Sequence, residues 1–227
     1  MSNTKERPII FSGEMVRAIL AGKKTQTRRV MKEANEDIDI SHISTDFHTM
    51  REFPDGSYRA IFDFDGCVNA YSIKCPYGQP GDRLWVRETW NIDYGAITED
   101  QENDWHIVYR ADMQSAEVPA YVSDDKCTLL YDSYRGDWRP SIHMPRWASR
   151  ITLEVTGVRV ERVQDISDVD AVAEGIDMAV PETPHKPGMG ATHPSAVFSE
   201  LWDSINASRG YGWGKNPWVW VVEFKQI

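Results

Sequence analysis

The stretch Ile19-Leu20-Ala21-Gly22-Lys23-Lys24-Thr25-Gln26-Thr27-Arg28-Arg29 constrains the local conformation of this chain more than any other. A helix is predicted to run into it. Ser12 can cap the helix N-terminus, and Glu14 stands in the first turn, where a negative charge suits the dipole. Met15 with Ile19, and Val16 with Leu20, recur at i and i+4 and give one buried stripe. Gly22 stands where a helix needs a left-handed stop, and Lys23 and Lys24 follow at the negative end of the dipole. Beyond it the pattern becomes alternating and β-branched. Thr25, Thr27 and Arg29 share one face of an extended segment, and Lys24, Gln26 and Arg28 share the other. Two hydroxyls and the cations Lys23, Lys24, Arg28 and Arg29 therefore crowd a helix-to-strand corner. Such a corner exposes backbone and buries little core, which leaves polar groups available for chemistry. A solubilising turn whose cations complete a helix C-cap satisfies the same pattern.

Charge decides how a ligand could use that corner. The 227-residue chain carries a formal net charge of -10, which argues against a broad phosphate-tracking surface. A local basic cleft stays open as an expectation, and a nucleoside-sized substrate needs no long electrostatic groove. Hydrophobic content of 41% and charged content of 26% can build a soluble core. The length fits one large domain with insertions. No apolar run is long enough to cross a membrane, and Met1 to Arg7 lacks a signal-peptide core. Cys67, Cys75 and Cys127 are odd in number and fit reduced thiols in a cytoplasm. No Cys-x-x-Cys or His-x-x-x-His spacing occurs, so a metal site is not expected.

Further along, Arg7 to Phe11 reads as a lead-in strand. Met31 to Met50 is acidic and reads as a loop or partly mobile insertion. Pro54-Asp55-Gly56 turns a hairpin whose second arm alternates Tyr58, Ala60, Phe62 and Phe64. Leu84 to Trp90 reads as one strand, with Arg87 and Glu88 on opposite faces; either could line a cleft or form a surface ion pair. Trp105 to Arg110 reads as a strand, followed by a loop containing Asp124, Asp125 and Lys126. Trp138 to Trp147 interleaves Trp138, Arg139, His143, Arg146 and Trp147, a mixture suited to base stacking and phosphate contact. A Pro-rich loop whose Trp side chains cover a barrel end has the same composition. Ile151 to Val163 is the longest strand signal, with Gly157 allowing a bend or bulge. Ser167 opens a second helix with Asp170 at the capping-box position, an apolar stripe of Val169, Val172, Ala173 and Ile176, and Gly175 as its stop. Glu174 falls in its last turn, where the dipole favours the neutral acid. Pro181 to Pro194 reads as a loop. Val197, Phe198, Leu201, Trp202 and Ile205 place a third helix, and Trp218 to Phe224 a buried strand. No repeat and no dividing linker is found.

The run Leu20 to Arg29 resembles the Gly-Lys-Lys-Thr-x-Thr-x-Arg signature of ASCH domains, which have a PUA-like fold. Gly81-Asp82-Arg83-Leu84-Trp85-Val86 resembles the family's Gly-Asp-x-Leu-x-Val strand. Ile151 to Thr156 through Glu174 resembles its strand, turn and second helix, and Trp218 to Phe224 its closing strand. Together these segments cover about half of the chain, which is similar to the larger ASCH proteins of phages and prophages. The resemblance implies an α+β fold: a PUA-like β-barrel of mixed and antiparallel strands with about three flanking helices. It implies one domain, 1–227, with insertions at about 31–74, 91–147 and 177–195.

Some small ASCH proteins are N(4)-acetylcytidine amidohydrolases, in which a Lys, a Thr and a Glu are proposed to act together. Motif matching carries those roles to Lys24, Thr27 and Glu174, with no metal or organic cofactor. A Thr hydroxyl becomes a nucleophile when a neighbour takes its proton, and a Lys can do so if burial or nearby cations lower its proton affinity. Arg29 or backbone N–H groups could hold the oxyanion. Lys23, Thr25, Arg28, Arg29, Arg87, Glu88, Trp138, His143 and Arg146 complete the expected binding surface for a nucleoside or RNA. Gln26 and Arg28 stand where the small hydrolases often carry apolar residues, which makes this corner more basic. Two other readings compete: an RNA-binding module using the basic corner and the Trp138 to Trp147 segment, and a metal-independent nuclease pairing Lys24 with His143.

Overall fold

The computed structural model of the protein describes residues 4–32, 48–62, 71–95, 104–134, 137–176 and 193–227. In chain order the elements are β1 (Glu6–Ile10), α1 (Gly13–Leu20), β2 (Gln26–Val30), β3 (His48–Glu52), β4 (Tyr58–Phe62), β5 (Tyr71–Lys74), β6 (Arg83–Arg87), β7 (Trp90–Gly95), β8 (Asp104–Tyr109), β9 (Ser115–Glu117), α2 (Asp124–Tyr134), β10 (Thr152–Arg162), α3 (Asp168–Ala173), α4 (Pro194–Asn206) and β11 (Trp218–Gln226). The fold is mixed α+β, and no closed barrel is found among the described residues. These elements fall into two compact units.

One unit comprises Met1–Lys5, Gly22–Asp82 and Glu154–Lys225. Its strands run in the order β10-β11-β2, with β11 antiparallel to β2. Trp218 to Val222 are buried without a break, as in a strand covered on both faces. Val219 and Val221 pack with Val163, Ile166, Ala171, Ile176, Phe198 and Trp202, so α3 and α4 cover one side of the sheet. The hairpin of β3 and β4 turns where the sequence places it: the Phe53 N–H donates to the Ser57 carbonyl at 2.8 Å, and Gly56 takes φ +67°. Residue Phe64 and the segments 33–47 and 177–192 of the expected loops lie outside the described residues, as does Cys67.

At Gly157 the buried positions of β10 change phase, from Leu153 and Val155 to Val158 and Val160, the pattern that the expected bend or bulge produces; a Cβ there would stand 2.6 Å from a Glu223 carboxylate oxygen. The stripe expected on α3 holds in part: Ile176 is buried in the core and Ala173 is half-buried. Val169 and Val172 are exposed, and Ala171 is the buried side chain of this short helix. Asp170 and Glu174 also turn inward, because Arg28 and Lys24 lie there beside the apolar core. The Ser167 cap forms as expected, accepting from the Asp170 N–H at 3.1 Å.

The Gly81-Asp82 corner of this unit is held by a buried carboxylate. Asp82 accepts the Lys5 N–H at 2.9 Å and the Gln79 N–H at 3.2 Å. Gly78 lies at φ +94°, and a Cβ there would come within 2.5 Å of Asp82 Oδ2. Gly78→Ala is therefore expected to cost about 1–2 kcal/mol from its backbone angle alone, and more by pushing Asp82 off its donors. A thermal melt checks this; an unchanged melting temperature would show that the loop relaxes freely.

The other unit comprises Glu6–Ala21, Arg83–Leu153 and Gln226–Ile227. β1 lies parallel to β6. α1 is capped by Ser12, whose hydroxyl accepts the Met15 N–H at 3.3 Å, and buries Val16 and Ile19; Leu20 stays exposed. The expected strand from Leu84 to Trp90 divides at Glu88 and Thr89 into β6 and β7, and β7, β8 and β9 form an antiparallel sheet. Asp124, Asp125 and Lys126 are not in a loop: they open α2, whose first turn bonds back to the Ser123 carbonyl at 3.0 and 3.1 Å. α2 sends Cys127 into a core of Trp90, Ile92, Ile107, Tyr109, Met144 and Ala148.

Candidate functional site

The corner after Gly22 is tied to the end of α3 by main chain first. Gly22 takes φ +69°, and the chain then extends. Lys24 and Glu174 form an isolated antiparallel bridge, and the Thr25 N–H donates to the Ala173 carbonyl at 2.8 Å. That pairing brings residues from opposite ends of the sequence side by side. Gln26 follows suit, its amide donating to the Asp170 carbonyl at 2.9 Å.

The side chains of Lys24, Gln26 and Arg28 all turn toward α3, as the strand alternation requires. Lys24 Nζ donates to Glu174 Oε2 and to the Glu174 carbonyl, both at 2.7 Å. Arg28 Nη1 reaches Glu174 Oε1 at 3.3 Å, and its Nη2 pairs with Glu161 and lies 3.5 Å from Asp170. Arg159 continues the network to Glu161, Asp170 and Glu223. Three cations thus face four carboxylates on one side of the sheet. Lys24 is 2% exposed, Arg28 5% and Glu174 6%, so the pair is closed to solvent.

The expected basic cleft is therefore corrected for two of its members, since carboxylates of this unit neutralise Lys24 and Arg28. Lys23 and Thr25 are exposed at the corner. Thr27 is buried but lies on the opposite face of β2, across from Val222. No hydrogen bond joins it to Lys24 or Glu174 among the described residues. Arg29 shares Thr27's face, half-buried across from Trp220.

Burial dominates the proton chemistry of Lys24. It pushes the ammonium's pKa down from the ordinary 10.5; the Glu174 carboxylate pulls the other way, Arg29 and Arg28 add to the lowering, and the net direction is down. For Asp170, burial works against the charge. The Ser167 hydrogen bond and the fields of Arg159 and Arg28 prevail and hold its carboxyl below the ordinary 3.8. The charged form of Asp170 therefore stabilises the fold, fully so above the unfolded value, and that contribution is lost as pH falls through the folded one. Urea midpoints are expected to decline below about pH 4. Asp170→Asn should flatten part of that decline, and an identical profile would show that Asp170 is not linked to folding.

The remaining expected residues belong to the other unit. Glu88 is 1% exposed and binds Arg150 through both oxygens, at 2.9 and 3.0 Å. Arg150 also grips Asp112 at 2.8 and 3.0 Å and lies 4.0 Å over the Tyr109 ring. Desolvation raises the Glu88 pKa despite that partner. Glu88 is thus an internal ion-pair member, not a surface or cleft group. Arg87 donates to the Ser141 carbonyl at 3.0 Å. In the Trp138 to Trp147 segment, Arg139 and Met144 are buried, as is Ala148 just after it, and Trp147 packs edge-on against Trp90 at 5.7 Å. Trp138 is half-buried, while His143 and Arg146 are exposed, Arg146 pairing with Glu6 at 3.0 Å. Much of this segment covers a core.

Glu161, Arg159 and Arg150 are the groups that sequence reasoning missed. Glu161 and Arg159 could have been found from alternation along β10, which puts both on the face of Gly157. Among the described residues no three His, Cys, Asp or Glu side chains are grouped as a metal site needs, and no helix is long and apolar enough to cross a membrane. A cleft of about 480 Å³ is lined by Arg162, Asp165, Lys215 and Asn216, none of them an expected site residue. No family model, curated protein or solved structure matches this chain.

Proposed function

We propose that the chain is an ASCH-type protein of PUA-like fold that acts on a modified nucleoside or RNA. The favoured reaction is hydrolysis of the acetyl amide of an acetylcytidine-like substrate. The observation that carries this reading is the buried Lys24–Glu174 contact at 2.7 Å, with the lysine's proton affinity lowered. A buried lysine that releases its proton readily can serve as a general base, and a carboxyl beside it can return a proton to the departing amine. Water adds to the acetyl carbon, the C–N bond breaks, and acetate and the free amine result. Lys24 and Glu174 supply the proton handling in this scheme. Thr27 enters it through the family resemblance alone, because strand alternation sets it on the other face. Since the pair is closed to solvent, turnover requires the corner to open around the substrate.

The competing readings are an RNA-binding module and a metal-independent ribonuclease. Incubation with acetylated cytidine and, separately, with labelled RNA, read by mass spectrometry, distinguishes them. Release of acetate and cytidine supports the proposal. Cleaved RNA moves the reading to a nuclease, and intact, bound RNA with untouched acetylcytidine moves it to a binding module.

A further inference from the structure

We propose that Arg28 is a positioning residue for the Lys24–Glu174 pair, clamping the carboxylate oxygen that Lys24 does not take. This rests on the reading of that pair as the working site. The geometry is a relay from β10 to α3. Glu161 and Asp170 hold Arg28 Nη2, and Nη1 of the same guanidinium reaches Glu174 Oε1 at 3.3 Å. Lys24 holds Oε2. The Arg28 side chain is 1% exposed, and its guanidinium lies 5.8 Å from the Phe198 ring centroid under α4. It cannot swing away without breaking the relay.

A carboxylate's terminal torsion is broad, so one donor fixes one oxygen and leaves the plane free to turn. Two cations, Lys24 from the corner before β2 and Arg28 from β2, fix both oxygens. The planar fork of Arg suits this task, since one nitrogen binds its anchors while the other binds its target. Arg28 also brings positive charge near Lys24, which favours the neutral amine. Among the described residues, the charged groups acting on Lys24 are Glu174 from the end of α3 and Arg28 and Arg29 from β2. Glu161 on β10 and Asp170 on α3 temper Arg28, so its influence is directional rather than a bulk charge.

The test uses the full chain with lysine labelled at the ε carbon and glutamate labelled at the carboxyl carbon. Lys24 and Glu174 resonances are assigned with Lys24→Arg and Glu174→Gln. Arg28→Gln is expected to raise the Lys24 titration midpoint, shift the Glu174 carboxyl resonance, and lower kcat on acetylated cytidine roughly 100-fold with little change in KM. Arg28→Lys keeps the charge and should return the midpoint toward wild type while recovering only part of kcat. A midpoint and carboxyl resonance unmoved by Arg28→Gln would overturn the proposal. If Arg28→Gln does not fold, an unchanged Glu174 resonance in Arg28→Lys overturns it equally. If wild type hydrolyses nothing, the functional reading fails, and the two resonances still decide whether Arg28 positions the pair.

Discussion

Lys24→Arg is expected to abolish turnover of acetylated cytidine while leaving a folded protein. Loss of a positioned base costs about 100-fold to 10,000-fold, and a guanidinium stays protonated, so it cannot take the substrate's or water's proton. Lys24→Ala should fail as well, for two reasons that must be separated. The base is gone, and Glu174 is left buried beside Arg28 without its nearer partner. A corner lysine is expected to support little structure, yet this one is 2% exposed and bonds to both the side chain and main chain of Glu174. The alanine variant must therefore be read beside its thermal melt, whereas the arginine variant keeps a cation at the site. An active Lys24→Arg protein would rule out proton transfer by Lys24.

Glu174→Ala is expected to lose about 3–5 kcal/mol of unfolding free energy, the usual result of removing one partner of a buried ion pair. Here the removal takes the carboxylate from Lys24, leaving it the main-chain carbonyl of residue 174, and takes one of its acidic partners from Arg28. Arg28 keeps Glu161 and Asp170, so the larger share of the loss comes from Lys24. The double variant Lys24→Met with Glu174→Leu should regain much of it, because apolar side chains of similar volume avoid the cost of desolvating charge. Urea unfolding with unchanged slope is the measurement. A loss under about 1 kcal/mol in Glu174→Ala, the range of an exposed pair, would show that water reaches the corner.

The elements that announce themselves locally were legible in the sequence. Ser12 and Gly22 bound α1, Pro54-Asp55-Gly56 turns the β3–β4 hairpin, and the spacing of Phe198 and Trp202 fixes the buried side of α4. What failed to show is decided by partners distant in sequence. α2 was missed because its apolar residues make only a weak stripe, although Ser123 followed by Asp124 and Asp125 is a sound start signal. Val169 and Val172 were misplaced on the buried side of α3, while Ile176 was placed rightly, because a hydrophobicity pattern cannot see that Arg28 and Lys24 draw Asp170 and Glu174 inward. Glu88 gave no sign of its burial, because its partner Arg150 lies sixty-two residues further on. The meeting of Lys24 with Glu174 came from motif order, not from any periodicity in either segment.

The strand between β10 and β2 also sets a timetable. Val30 pairs with Val219 and Gln26 with Glu223, so nearly two hundred residues of chain must be looped out before β2 acquires its neighbour. Closing such a loop is entropically unfavourable until the contacts beyond it form, and topologies dominated by distant pairings fold slowly. The face that carries Arg28 stays incomplete until β11 docks. During refolding, Trp218 and Trp220 enter their buried positions in the same event that gives Arg28 its sheet neighbour. Their fluorescence is therefore a clock for completion of this face, and any activity should return no earlier than that signal.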